Sequence, residues 1–112
     1  MGEKGAKEGQ DAATVSAQVV GEFAPLGEVS NRKMFGGYGI FESSAMFALV
    51  NSQGELFLKA DDSNRPRFEQ VGAKQHGKMP YFQPPPEVLA DEDSLRDWAK
   101  VSIEVAHANK KK

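Results

Sequence analysis

The stretch Arg32-Lys33-Met34-Phe35-Gly36-Gly37-Tyr38-Gly39-Ile40-Phe41 decides the fold. Two short apolar-aromatic runs, residues 32–35 and 38–41, flank Gly36-Gly37. A glycine pair signals a tight hairpin, because glycine reaches positive φ at no steric cost. Downstream come residues 45–50 (AMFALV), the turn Asn51-Ser52-Gln53-Gly54, and residues 55–60 (ELFLKA). These connections are too short for parallel crossovers, so the strands are predicted to form an antiparallel meander. Strict alternation would put Met46, Ala48 and Val50 on one face and Phe47 and Leu49 on the other, with Leu56 and Leu58 opposed to Phe57. A sheet apolar on both faces has to be covered on both.

Helical patterns lie on either side of this sheet. Val15, Val19, Phe23 and Leu26 recur at spacings that form one stripe, with Thr14 as the expected N-cap and Pro25 and Gly27 as the stop. Residues 61–72 read as a short helix capped by Asp62 or Asn64, with Pro66 in its first turn, Phe68 and Val71 as apolar contacts and Gly72 just past its end. Residues 79–83 read as one more strand, closed rigidly by Pro84-Pro85-Pro86. A last helix starts after Asp91 or Ser94 and runs to about His107, with Leu95, Trp98, Ser102, Val105 and Ala106 facing inward. The expected fold is α+β: an antiparallel β-meander flanked by N- and C-terminal helices, with a short helix before the last strand. The terminal helices cover one sheet face. The central segment or a second copy of the chain covers the other, and this is the argument for a homodimer.

At 112 residues the chain has room for one domain, assigned to residues 12–109, with a disordered tail at 1–11 and a basic tip at 110–112. There is no cysteine, which excludes disulfides and thiolate metal sites. No apolar run approaches the roughly 20 residues of a membrane span, and a cytoplasmic location is expected. Fourteen Lys and Arg against sixteen Asp and Glu give a net charge of -2. Phosphate neutralisation dominates nucleic-acid affinity, so with this balance any such contact would be weak and confined to a local patch.

The chemistry-bearing residues do not form a reaction set. His76 and His107 are far apart and lack ligand spacing; both read as solvent-exposed. Asp61-Asp62 and Asp91-Glu92-Asp93 sit where helix N-termini favour carboxylates. The glycines of the leading motif run into a strand and not into a helix, which rejects a phosphate-cradling loop. Gly37-Tyr38-Gly39 matches part of an RNA-binding aromatic motif, yet Gly36 stands where that motif has a basic residue. No metal, cofactor or catalytic role is expected.

Read in order, the motif at 32–41 and Met46-Phe47-Ala48-Leu49-Val50 resemble the N-terminal domain of the TfoX/Sxy family. So do Leu58-Lys59, Asp61 or Asp62, Asn64-Arg65, Phe68-Glu69, Gly72, Gly77-Lys78, Met79, Tyr81, Glu87-Val88-Leu89, Asp91 and Trp98-Ala99. The resemblance spans about positions 13 to 107. It implies a fold similar to secretion chaperones. It also implies kinship with competence regulators that activate transcription with the cyclic-AMP receptor protein and carry a second, helical domain. This chain is expected to be the stand-alone form. It departs from the family pattern at Pro66 and in a shorter loop between Gly72 and Met79. The expected function is a regulatory module that binds a protein partner of the transcription machinery or its regulators; the alternative is weak nucleic-acid binding. Candidate contacts are Arg32, Lys33, Tyr38, Lys59, Arg65 and Lys78, with Arg67 nearby, and Gly36, Gly37 and Gly39 are the structural motif.

Overall fold

A computed structural model describes residues 11–34 and 36–110. The N-terminal tail up to residue 10, Phe35 and the final two lysines, each given a role above, lie outside the described residues. The chain runs α1 (Ala12–Phe23), a 3-10 turn (Ala24–Leu26), β1 (Val29–Met34), β2 (Gly37–Glu42), β3 (Ala45–Val50), β4 (Leu56–Lys59), α2 (Arg65–Gln70), β5 (Tyr81–Phe82), α3 (Pro86–Leu89) and α4 (Glu92–Lys110). The five strands form one sheet in the order β1-β2-β3-β4-β5, every pair antiparallel. The α+β meander predicted from the sequence is the fold found.

Helices α1 and α4 lie on one face of the sheet. Their buried residues Val19, Phe23, Leu95, Ala99 and Ile103 join Ile40, Phe47, Val50 and Leu58 in the main core. Phe23 meets Phe47 with ring centres 5.8 Å apart, and Phe68 of α2 stacks on Phe82 at 5.4 Å and edge-on to Trp98 at 5.0 Å. Such aromatic pairs add to the burial of their area. The fully buried Ser16 is satisfied by the Asn31 side-chain amide, and the fully buried Ser102 donates to the Lys59 carbonyl at 2.8 Å.

Several local expectations need correction. The cap of α1 is Asp11, not Thr14: the Asp11 carboxylate accepts the Thr14 N–H at 2.9 Å, which is what a residue three positions ahead of an unbonded helical N–H can do. Helix α2 starts at Arg65 and not at residue 61; Asn64 does hold the expected N-cap position, but its side chain makes no capping bond and turns backward, accepting from the Asp61 N–H and donating to the Lys59 carbonyl. Pro66 does fall in that first turn. Strand β5 is only two residues long, since the Met79 N–H bonds back to His76 O and the Tyr81 N–H to Met79 O, committing that backbone to a turn. Pro86 starts a short helix where a rigid stop was expected, its fixed φ suiting a first helical position. In the hairpin, Gly37 pairs with Met34 as a strand residue, and the positive φ of 79° belongs to Gly36.

The largest correction concerns β3. Ile40 pairs with Ala48 and Phe41 with Met46, so Phe47 is an extra residue, a β-bulge. The bulge resets the alternation. Ala45, Phe47, Ala48 and Val50 all face the helices, while Met46 and Leu49 point to the opposite face. Strand β4 follows the expected pattern, with Leu56 and Leu58 in the main core and Phe57 opposite.

Candidate interaction face

The face of the sheet away from the helices can be read from the strand pairing. Arg32 lies opposite Gly39, Gly39 opposite Leu49, and Leu49 opposite Phe57, forming one row across four strands. Phe41 and Met46 lie opposite each other in the next row, and Lys59 opposite Tyr81. Leu49, Phe57 and Tyr81 make a small second core here, with Met46 packed against it.

The segment between α2 and β5 covers part of this face. The His76 ring stands edge-on to Phe57, 4.9 Å between centres, and the His76 N–H bonds to Tyr81 O at 2.9 Å. Far from being a solvated side chain, His76 has a buried Nδ1 without a hydrogen-bond partner among the described residues. Lys74 reaches Glu55 at 3.3 Å, and Glu55 is held below the ordinary carboxylate range chiefly by the Asn51 amide. Burial pushes the Tyr81 phenol up to about 12, so it stays protonated, with its oxygen 3.5 Å from the Met46 carbonyl.

What this cover leaves open is a groove of about 270 Å³, lined by Met34, Met46, Met79, Leu49, Tyr38 and Tyr81 among others. Three of the four methionines of the chain meet here, one each from β1, β3 and the loop before β5. Met79 is 40% exposed, and Met34 and Met46 are half-buried. The glycines of the leading motif shape the floor. A Cβ on Gly39 would sit 3.1 Å from the sulfurs of both Met34 and Met46 and from the Phe41 ring. A Cβ on Gly37 would sit 2.1 Å from the Val50 carbonyl oxygen. Side chains at either position would fill or distort the groove. Thioethers are flexible and polarisable, so a surface built from them adapts to different apolar shapes.

The predicted contact residues are dispersed. Arg32 stacks over the Phe41 ring and Lys59 over the Tyr81 ring, each 5.1 Å from the ring centre, so both belong to this face. Lys78 is exposed beside Met79. Tyr38 lines the groove and also packs against the main core. Lys33 is paired with Tyr38, one residue out of phase with Arg32, and so faces the other way. Arg65 shares a depression with Lys59, Asp61 and Asp62, and Arg67 lies 4.2 Å over Trp98 on the helical side. The structure therefore brings Arg32 and Lys59 to the open face, leaves Tyr38 at the rim of the groove with its strand position turned toward the helices, and sends Lys33 and Arg67 elsewhere. The sequence reading missed Met34, Met46 and Met79 as a group. The signal was their scarcity, but only strand pairing and the loop path bring them together.

Of the histidines, His107 is also engaged: its Nε2 lies 2.6 Å from Glu42 Oε1. Among the described residues, no three metal-ligating side chains are grouped, and no helix is long and apolar enough to cross a membrane.

A family model described as the TfoX N-terminal domain matches residues 22–106. Over 50 residues the chain is 40% identical to the DNA transformation protein TfoX1 of Aliivibrio fischeri, a match that covers 45% of this chain and 23% of that protein.

Proposed function

The chain belongs to the TfoX N-terminal domain family, and from that premise we propose that it is a non-enzymatic interaction module serving competence for DNA transformation. In its finer form the proposal is that it controls transcription by holding a protein partner on the open face of its sheet. The observation that carries this reading is the convergence of Met34, Met46 and Met79 on one apolar groove that the molecule leaves uncovered. Apolar surface left in water costs roughly 25 cal/mol per Å², so a groove built from flexible apolar side chains and floored by glycine favours association. Of the titratable groups near it, Glu55 is bonded to Asn51 and Lys74 and Tyr81 keeps its proton, while His76 leaves its Nδ1 without a partner among the described residues. The TfoX1 match supports the link to DNA transformation.

The test is affinity capture from a lysate of a naturally transformable bacterium, with and without nuclease. It compares the native chain with the double variant Met34→Glu/Met46→Glu. The expected result is a protein retained after nuclease treatment and lost with the variant. Capture that disappears with nuclease would instead promote direct nucleic-acid binding. Capture indifferent to the variant would move the interaction off this face.

A further inference from the structure

Resting on the interaction reading above, we propose that the open face takes an extended acidic peptide: one apolar anchor side chain flanked on both sides by carboxylates. The groove supplies the anchor site, since its volume of about 270 Å³ is of the order of one large side chain and its walls are thioether and aromatic carbon. The charge chemistry comes from Arg32 and Lys59, which lie on the same face just outside the groove's lining and adjoin it through Met46 and Tyr81. Among the described residues neither has a carboxylate within 4 Å, while Lys74 and Arg96 do. Asp61, the acid nearest to Lys59 in sequence, is occupied by the Ser63 hydroxyl and backbone N–H and by Asn109. A chain of net charge -2 thus presents, among the described residues, two cations outside any ion pair on the face that is also apolar. Both are held in place over aromatic rings, which orients their heads across the face.

Spacing narrows the ligand further. Phe41 on β2 and Tyr81 on β5, the rings under the two cations, are three strand intervals apart, roughly 14 Å at ~4.8 Å per interval. An extended peptide rises ~3.3 Å per residue and repeats its side-chain direction every second residue. Acids two positions before and two after an anchor therefore lie on the anchor's own side, roughly 13 Å apart. That is close to the spacing of the strands that carry the two rings under the cations.

The same geometry disfavours the other occupants. Single-stranded nucleic acid needs open aromatic faces on which bases stack. Here one face each of Phe41 and Tyr81 is already covered by Arg32 and Lys59, and Tyr38 is half-buried against the main core. A second copy docked face to face would bring Arg32 and Lys59 of both chains together, and like charges in an interface oppose it.

Fluorescence anisotropy at physiological salt decides the matter, using fluorescein-labelled peptides with the core Glu-Ser-Trp-Ser-Glu, the same core with both glutamates replaced by lysine, and the same core with tryptophan replaced by alanine. A labelled oligothymidine serves as the nucleic-acid arm. The expected result is saturable binding of the first peptide alone, weakened roughly tenfold or more by Arg32→Glu/Lys59→Glu. Because the peptide swap uses the unaltered protein, the result does not depend on the variant folding; circular dichroism checks the variant. Equal binding of the acidic and basic peptides, no binding of the acidic one, or tighter binding of oligothymidine would overturn the proposal. If the peptides fail while lysate capture still depends on Met34 and Met46, the peptide chemistry falls and the interaction reading stands. If both fail, the reading falls too.

Discussion

On the helix-covered face of the sheet, Phe23, Ile40, Phe47, Leu58 and Phe68 have no exposed surface at all, whereas on the open face Met34, Phe41 and Met46 stand half in solvent above two glycines. The covered side uses large, shape-defined rings and branched chains that lock together. The open side uses thioethers, missing side chains and stacked cations. Rigid interlocking residues specify one packing and so stabilise a fold. Adaptable ones hold little structure and leave apolar surface available. One sheet thus carries a locked face and an adaptable one, and the bulge at Phe47 makes that separation sharp by moving Phe47 to the helices and Leu49 away from them.

The comparison breaks most visibly at Phe47. Phe47→Ala should lower unfolding free energy by about 3–5 kcal/mol in urea titration, because it empties the contact with Phe23 inside a closed core. Met46→Ala, one residue away on the other face, should cost only about 1 kcal/mol and act mainly on partner capture. Similar losses for the two would mean that the open face is as structural as the covered one.

The two hairpin glycines sharpen the picture at the next level. Gly37→Ala should cost about 3 kcal/mol, since its Cβ would collide with the Val50 carbonyl oxygen. Gly36→Ala should cost about 1 kcal/mol, the penalty of a left-handed backbone, since the new methyl would meet only the Ser52 side chain at an ordinary contact distance of 3.8 Å. A reversed order, read from thermal melting, would place the tight approach at the turn and not in the strand.

The smallest expected effect lies where α4 meets the hairpin. Glu42 is held below its ordinary value of 4.5, first by the Glu28 N–H and then by His107. A depressed carboxyl stabilises the fold fully above its unfolded value and loses that contribution as pH falls through the folded value. Native protein should therefore lose stability as pH drops below 4.5, and Glu42→Gln should flatten that acid limb while lowering stability slightly at neutral pH. Denaturant midpoints measured from pH 7 to pH 3 would show it; parallel curves for the two proteins would remove Glu42 from the acid response.

Much of this was legible along the chain. The leading motif announced the hairpin, Phe23 and Val19 marked the inner stripe of α1, and Asp91 marked the start of α4. Those signals are local: a cap, a turn or a helical period is specified by residues a few positions apart. The failures share the opposite property. His107 looked solvated because Glu42, its partner, is 65 positions away, and His76 looked solvated because the Phe57 ring beneath it belongs to β4. All the candidate contacts but Tyr38 share only a positive charge, and charge alone does not separate Arg32 from Lys33, which pairing sends to opposite faces.

By itself the sequence determined the order of the elements, the antiparallel meander, the inner stripes of the terminal helices and the kinship of the chain. Only the tertiary structure decided which way Phe47 and Leu49 point, that three methionines from separate segments share one groove, and that Arg32 and Lys59 rest on aromatic rings of the same face. The physical reason is register. A single extra residue in a strand reverses every side chain beyond it, and that residue is placed by packing between strands and helices, which no local pattern encodes.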